Sequence, residues 1–167
     1  LVSYSPEDPN FIFTDNIEIK NIMGSKGSFI SDLLYQSFGL IAFLIPITFL
    51  FTGINIILTK KFLILIENTF FSILYVIFGC LFFSVFYIDS YWLVINGNNG
   101  FIGNLFDKTF ILSFIQNTTQ ISFYTLILLI SLIFLKSINL KVSYVINIIK
   151  KIPLLFKRKS VEKNNYI

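Results

Sequence analysis

Three stretches without a single charged residue dominate the hydrophobic pattern of the chain: residues 33–59, 68–88 and 109–135. Each is apolar on every side of a helical projection, not along one stripe, which excludes the surface helices of a soluble domain. A hydrocarbon core about 30 Å thick takes about 20 residues of helix to cross, so each stretch is long enough. Inside lipid every backbone N–H and C=O must be satisfied within the protein, and an isolated apolar segment achieves this only as a helix. The pattern therefore predicts an all-α integral membrane protein with three transmembrane helices, at about residues 33–58, 63–88 and 110–135.

The boundaries carry residues suited to them. Lys60 and Lys61 form a tight charged loop between the first two spans, and Tyr87, Tyr91 and Trp92 follow the second at headgroup level. Gln116, Asn117, Thr118, Thr119 and Gln120 interrupt the third, which predicts an interfacial or re-entrant first half. Pro46 is expected to bend span one, and Gly39, Gly53 and Gly79 to let helices approach closely. Glu67 lies six residues past Lys61, about 9 Å of helix rise, and reads as an interface residue whose carboxylate reaches back to the headgroups. It has no charged partner at comparable depth in spans one and three, which weighs against ion or proton coupling.

Composition agrees with a lipid environment: 55% of residues are hydrophobic and 13% charged, against about 25% charged in soluble domains. Histidine is absent, which removes the commonest general base and zinc ligand, and Cys80 is the single cysteine, set in an apolar run and read as a packing residue. These features argue against catalytic, cofactor-binding and metal-binding sites. Asn96, Gly97, Asn98, Asn99, Gly100 and Gly103 form a turn-rich run tolerant of positive φ. It is not a phosphate cradle, because no Lys-Ser or Lys-Thr follows and no GxxxxGK[ST] occurs anywhere.

Charge sets the expected direction. The 60–61 loop carries two lysines and the tail eight basic residues, whereas the opposite side has three lysines among seven acids. Positive residues near span ends stay in the cytoplasm. Residues 1–32 are thus expected outside, residues 33–135 in the membrane and residues 136–167 as a basic cytoplasmic tail. Val142, Val145, Ile146, Ile149 and Ile152 recur at helical spacing until Pro153. With Lys60, Lys61, Lys150, Lys151, Lys157, Arg158 and Lys159 they fit a clamp on the lipid surface. They fit an ordinary positive-inside flank equally well; DNA binding is less favoured, since no exposed aromatics interleave the charges. An external segment of about thirty residues must be led across by something, so an earlier helix is expected, making four spans with both ends inside.

The Tyr4-Ser5-Pro6-Glu7-Asp8-Pro9 run, which reads locally as a turn, together with the 21–27 segment containing Gly24 and Gly27, resembles the amino-terminal membrane domain of the FtsK/SpoIIIE DNA translocases. Asp32, Gly39 and Pro46 fall where that family has its second helix, and Gly97, Gly100 and Gly103 resemble its glycine-rich external loop. Asn117, Thr118 and Thr119 stand where the family often has another glycine pair. The resemblance covers about residues 3–140. It implies a four-span inner-membrane anchor with a cytoplasmic carboxy terminus, positioned at the division septum for cell division and chromosome partition. The implied partners are the bilayer, division-septum proteins and further copies in a hexamer, with ATP and DNA engaged only through a motor domain. Two rival readings are a small transporter or channel subunit lined by residues 116–120, and a free-standing membrane assembly protein.

Overall fold

A computed structural model describes residues 1–10, 18–90, 93, 95–106 and 109–139. Among these residues the regular elements are all helical: α1 Gly24–Phe38, a 3₁₀ segment Gly39–Phe43, α2 Leu44–Thr59, α3 Leu63–Phe86, α4 Gly100–Asn104, α5 Phe110–Asn117 and α6 Thr119–Ile138. Three helical stretches are long and apolar enough to cross a membrane: Gly24–Thr59, Leu63–Phe86 and Thr119–Ile138. Helix α3 is the central post, packed against α2, α4, α5 and α6.

Burial is inverted relative to a soluble protein. Leu50, Ile57, Leu63 and Ile66 are 68–78% exposed, while Thr48, Thr52, Asn68 and Ser137 are at most 2% exposed. More than a dozen large apolar side chains stand exposed on α2, α3 and α6. Each would gain roughly 1.5–3 kcal/mol by leaving water. Their sum exceeds the roughly 5–15 kcal/mol that holds a domain folded, so this surface is made for lipid. Polar residues at the helix interfaces supply the hydrogen bonds that hydrophobic contrast cannot supply in a bilayer.

The first apolar stretch is not one straight helix. Helix α1 leads into it from Gly24, as Ser25 and its neighbours suggest, and as a continuous rod the 36 residues Gly24–Thr59 would be about 54 Å long. The 3₁₀ segment breaks it, and that segment plus α2 spans about 34 Å, a bilayer's worth. Pro46 does not bend the span in its middle. It is the third residue of α2, where the first turn tolerates a missing N–H, and the break precedes it at Gly39. Among the described residues a Cβ at Gly53 would meet no heavy atom within 4 Å, so that glycine is no point of close approach there; at Gly79 it would lie 2.4 Å from Ile41 Cγ1, so that one is.

The third stretch divides at Thr118, whose φ of −121° and ψ of 42° end α5 and start α6. Twenty residues of α6 suffice to cross by themselves. Lys60 closes α2 in the left-handed conformation with its N–H on Ile56 O at 2.7 Å, making the tight turn expected of Lys60 and Lys61. Buried Tyr75, Val76, Cys80 and Ile41 form one apolar cluster, with Phe134 set edge-on to Tyr75 at 5.5 Å. A second joins Leu81 and Phe82 of α3 to Ile115 and Leu126.

Candidate functional site

The amino-terminal motif and the glycine-rich run, far apart in sequence, both pack on α1, the first along its length and the second at its end. Asp8 is buried, and its carboxylate accepts the Lys20 N–H at 2.8 Å and the Asn21 N–H at 2.9 Å. The turn expected around Pro6 is present, closed by the Asp8 N–H on Ser5 O at 3.2 Å. Pro9 lends its carbonyl to Ser28 Oγ at 2.6 Å. Asn21 receives the Met23 N–H at 3.0 Å and crosses Gly27, where a Cβ would lie 2.5 Å from Asn21 Oδ1. The segment is thus sewn onto α1 by hydrogen bonds to backbone.

Tyr4 donates to Asp32 Oδ1 at 3.1 Å and stacks obliquely on Tyr35, with ring centroids 4.8 Å apart. Burial, then the Asp32 carboxylate, push the Tyr4 hydroxyl well above the ordinary phenol range. Glu7 and Lys20 pair at the surface. The Lys20 ammonium, hydrogen-bonded to it, lowers the Glu7 carboxyl, and Glu7 in turn raises Lys20.

The second half of the site is a backbone crossing. Leu40 N–H donates to Asn98 O at 2.9 Å, so the glycine-rich loop caps the end of α1. A Cβ on Gly39 would lie 1.9 Å from Asn98 O, and one on Gly100 2.4 Å from Gly39 N. Both residues have positive φ, 67° and 64°, so glycine is required twice over, by conformation and by space. A Cβ on Gly103 would strike Asn99 at 2.4 Å, and Gly103 O receives Ser84 Oγ at 2.8 Å, which ties α4 to α3. Asn99 itself is fully buried, its amide 3.1 Å from Ser84 Oγ. Asn96 donates to Gln36 O at 3.2 Å.

Gly24, Gly27, Asp32, Gly39, Gly97, Gly100 and Gly103 are thus brought into one scaffold with Tyr4, Asp8 and Pro9, whereas Pro46 stands apart on α2. Lys60 and Lys61 lie exposed in the turn between α2 and α3. Lys150, Lys151, Lys157, Arg158 and Lys159, the amphipathic pattern before Pro153, and Tyr91 and Trp92, expected at headgroup level, lie outside the described residues. Glu67 does have a charged partner: Lys136, one residue past the third charge-free stretch, lies 3.5 Å from it. Both side chains are about half exposed, so the pair sits at the rim of the bundle.

Charge counting overlooked a second polar set. Thr48, Thr52 and Asn55 recur on one face of α2, and Asn68, Ser72 and Tyr75 on one face of α3. They meet Ser137 and Ile138 of α6: Thr48 Oγ1 is 3.0 Å from Tyr75 OH and 3.3 Å from Ser137 Oγ, and Asn55 donates to Ile138 O at 2.9 Å. The signal was a period of three to four among uncharged polar residues inside apolar helices. Among the described residues no three His, Cys, Asp or Glu side chains gather as a metal site.

Spans, buried polar seams and a loop locked onto a helix end together make a membrane helical bundle. The 4TM region of DNA translocase FtsK/SpoIIIE matches residues 1–146. The chain belongs to this family. Over 55 residues it is 44% identical to DNA translocase FtsK of Rickettsia bellii (strain RML369-C), a match covering 33% of this chain and 7% of that protein. The DNA translocases FtsK of Rickettsia typhi (strain ATCC VR-144 / Wilmington) and Rickettsia prowazekii (strain Madrid E) match over equal lengths at 42% and 40% identity. The alignment thus spans a small fraction of these relatives' length. No solved structure matches the chain. The FtsK/SpoIIIE region that matches is the membrane part of the translocase, not its motor, and the chain is a multi-pass membrane protein of that kind.

Proposed function

We propose that this membrane unit anchors a DNA translocase, holding a cytoplasmic DNA-pumping ATPase at the division septum of a bacterial inner membrane during cell division and chromosome segregation. The observation that carries the reading is the match to the FtsK/SpoIIIE membrane region over residues 1–146, joined to a lipid-facing bundle. The basic surplus around Lys60, Lys61 and the 136–167 tail supports a cytoplasmic carboxy terminus. Septal proteins, the bilayer and further copies of the chain are the partners this role requires. DNA and ATP would be engaged by the motor.

A fluorescent fusion of the whole protein tests the reading. Accumulation at midcell in dividing cells is the expected result, and removal of the membrane unit should disperse the signal. A uniform membrane distribution of the intact fusion would refute septal anchoring.

A further inference from the structure

Asn68 of α3 is 1% exposed, the most buried side-chain amide among the described residues of α2, α3 and α6, and stands seven residues beyond Lys61, or about 10 Å along α3. Its Nδ2 donates to Thr52 Oγ1 at 2.8 Å, but its Oδ1 is buried without a hydrogen-bond partner. The hydroxyls around it are already committed. Thr52 donates to Thr48 O at 2.7 Å and Ser137 to Phe134 O at 2.7 Å. Ser72 points its hydrogen at Tyr75 OH, 3.5 Å away, and Tyr75 lies 3.0 Å from Thr48 Oγ1. Turning the amide over would give Oδ1 the Thr52 hydroxyl only by breaking the Thr52 bond to Thr48 O. As placed, Asn68 Oδ1 has no partner.

A buried carbonyl left unpaired costs roughly 1–3 kcal/mol, and hydrocarbon offers it no relief. We propose that Asn68 and Ser72 bind a single water molecule inside the α2, α3 and α6 interface, the water donating one hydrogen to Asn68 Oδ1 and the other to Ser72 Oγ. Residues four apart on a helix have Cβ atoms about 5–6 Å apart, a gap that one water bridges with two ordinary hydrogen bonds. Ser72 is 6% exposed and its oxygen retains a lone pair, so the two partners a buried water requires are in place. At 1% exposed, Asn68 is closed off from lipid headgroups by the surrounding helices. The buried set is also neutral, which disfavours a cation: the carboxylate of neighbouring Glu67 is half exposed and engaged by Lys136.

Water-edited solid-state NMR of the chain in lipid vesicles, with asparagine and isoleucine both isotopically labelled, tests the site. Magnetisation from water should reach the Asn68 amide several-fold faster than the backbone amide of Ile73, which faces outward on the same helix. Ser72→Ala should abolish that advantage while the Asn68 resonance persists. Build-up at Asn68 no faster than at Ile73, as a dry cavity or a docked piece of protein would give, overturns the proposal. So does fast build-up that survives Ser72→Ala. The wild-type measurement decides between a wet and a dry site even if the variant does not fold.

Discussion

Replacing Gly39 by alanine should open the junction on which the amino-terminal half depends. Gly39 holds φ 67° and ψ −152°, a region occupied almost only by glycine, and forcing a side chain there costs about 1–3 kcal/mol. The added Cβ would also lie 1.9 Å from Asn98 O. That atom belongs to backbone, so the loop itself must retreat and the Leu40 N–H to Asn98 O bond is lost, about 1 kcal/mol more. The total, about 2–4 kcal/mol, corresponds to a melting temperature lower by about 10 °C for a chain of this size. Cys80 offers the assay, because it is the single cysteine, fully buried, with Sγ 3.3 Å from Phe38 O beside the substituted residue. A dye that fluoresces on thiol attachment, followed through a temperature ramp in lipid or detergent, reads the moment the junction opens. Gly53→Ala is the control. It adds a methyl group into open space within α2 and should leave the transition unchanged or raise it slightly. If Gly39→Ala keeps Cys80 protected to within a degree or two of the parent, the lock between Gly39 and Asn98 is not a stability element and the reasoning fails.

Gly79→Ala should destabilise by about 1–3 kcal/mol through overpacking against Ile41, and Ile41→Val added to it should recover part of that loss in the same thiol-melting assay. Asp8→Ala should loosen residues 1–10 from Lys20 and Asn21 by leaving those two N–H groups without their acceptor, which limited proteolysis would read as faster cleavage than in the parent. Ultraviolet titration should show Tyr4 still protonated at pH values where free phenols, near about 10, ionise. Because its folded value is raised, the stability Tyr4 contributes is whole below the unfolded value and is lost as pH climbs above it, and Tyr4→Phe should flatten that alkaline decline. Glu67→Gln should change stability by no more than about 1 kcal/mol, since a half-exposed ion pair contributes little; a collapse of the fold would show the pair to be structural.

Much of the architecture is legible without coordinates. Length and lack of charge in three stretches were sufficient, because a bilayer accepts a spanning backbone only as helix, and the polar run at residues 116–120 marked the division between α5 and α6. The positive φ of Gly97 and Gly100 followed from their turn-rich surroundings. Lys60 and Lys61 announced a tight turn in the same way.

Tertiary structure decided what those local signals could not. The break in the first apolar stretch falls at Gly39 and not at Pro46, because the glycine-rich loop comes within contact of the chain there, and nothing near Gly39 in sequence specifies that loop. Likewise Gly53 and Gly79 look alike along the chain, yet among the described residues only Gly79 faces another segment. The partnership of Glu67 with Lys136 and the seam from Asn68 to Ser137 depend on which faces of α2, α3 and α6 turn toward one another. Hydropathy tells a residue that it is in lipid, but in lipid all apolar faces are equivalent. The choice of face is made by hydrogen bonding and close packing between distant segments, and these exist only once the helices have met.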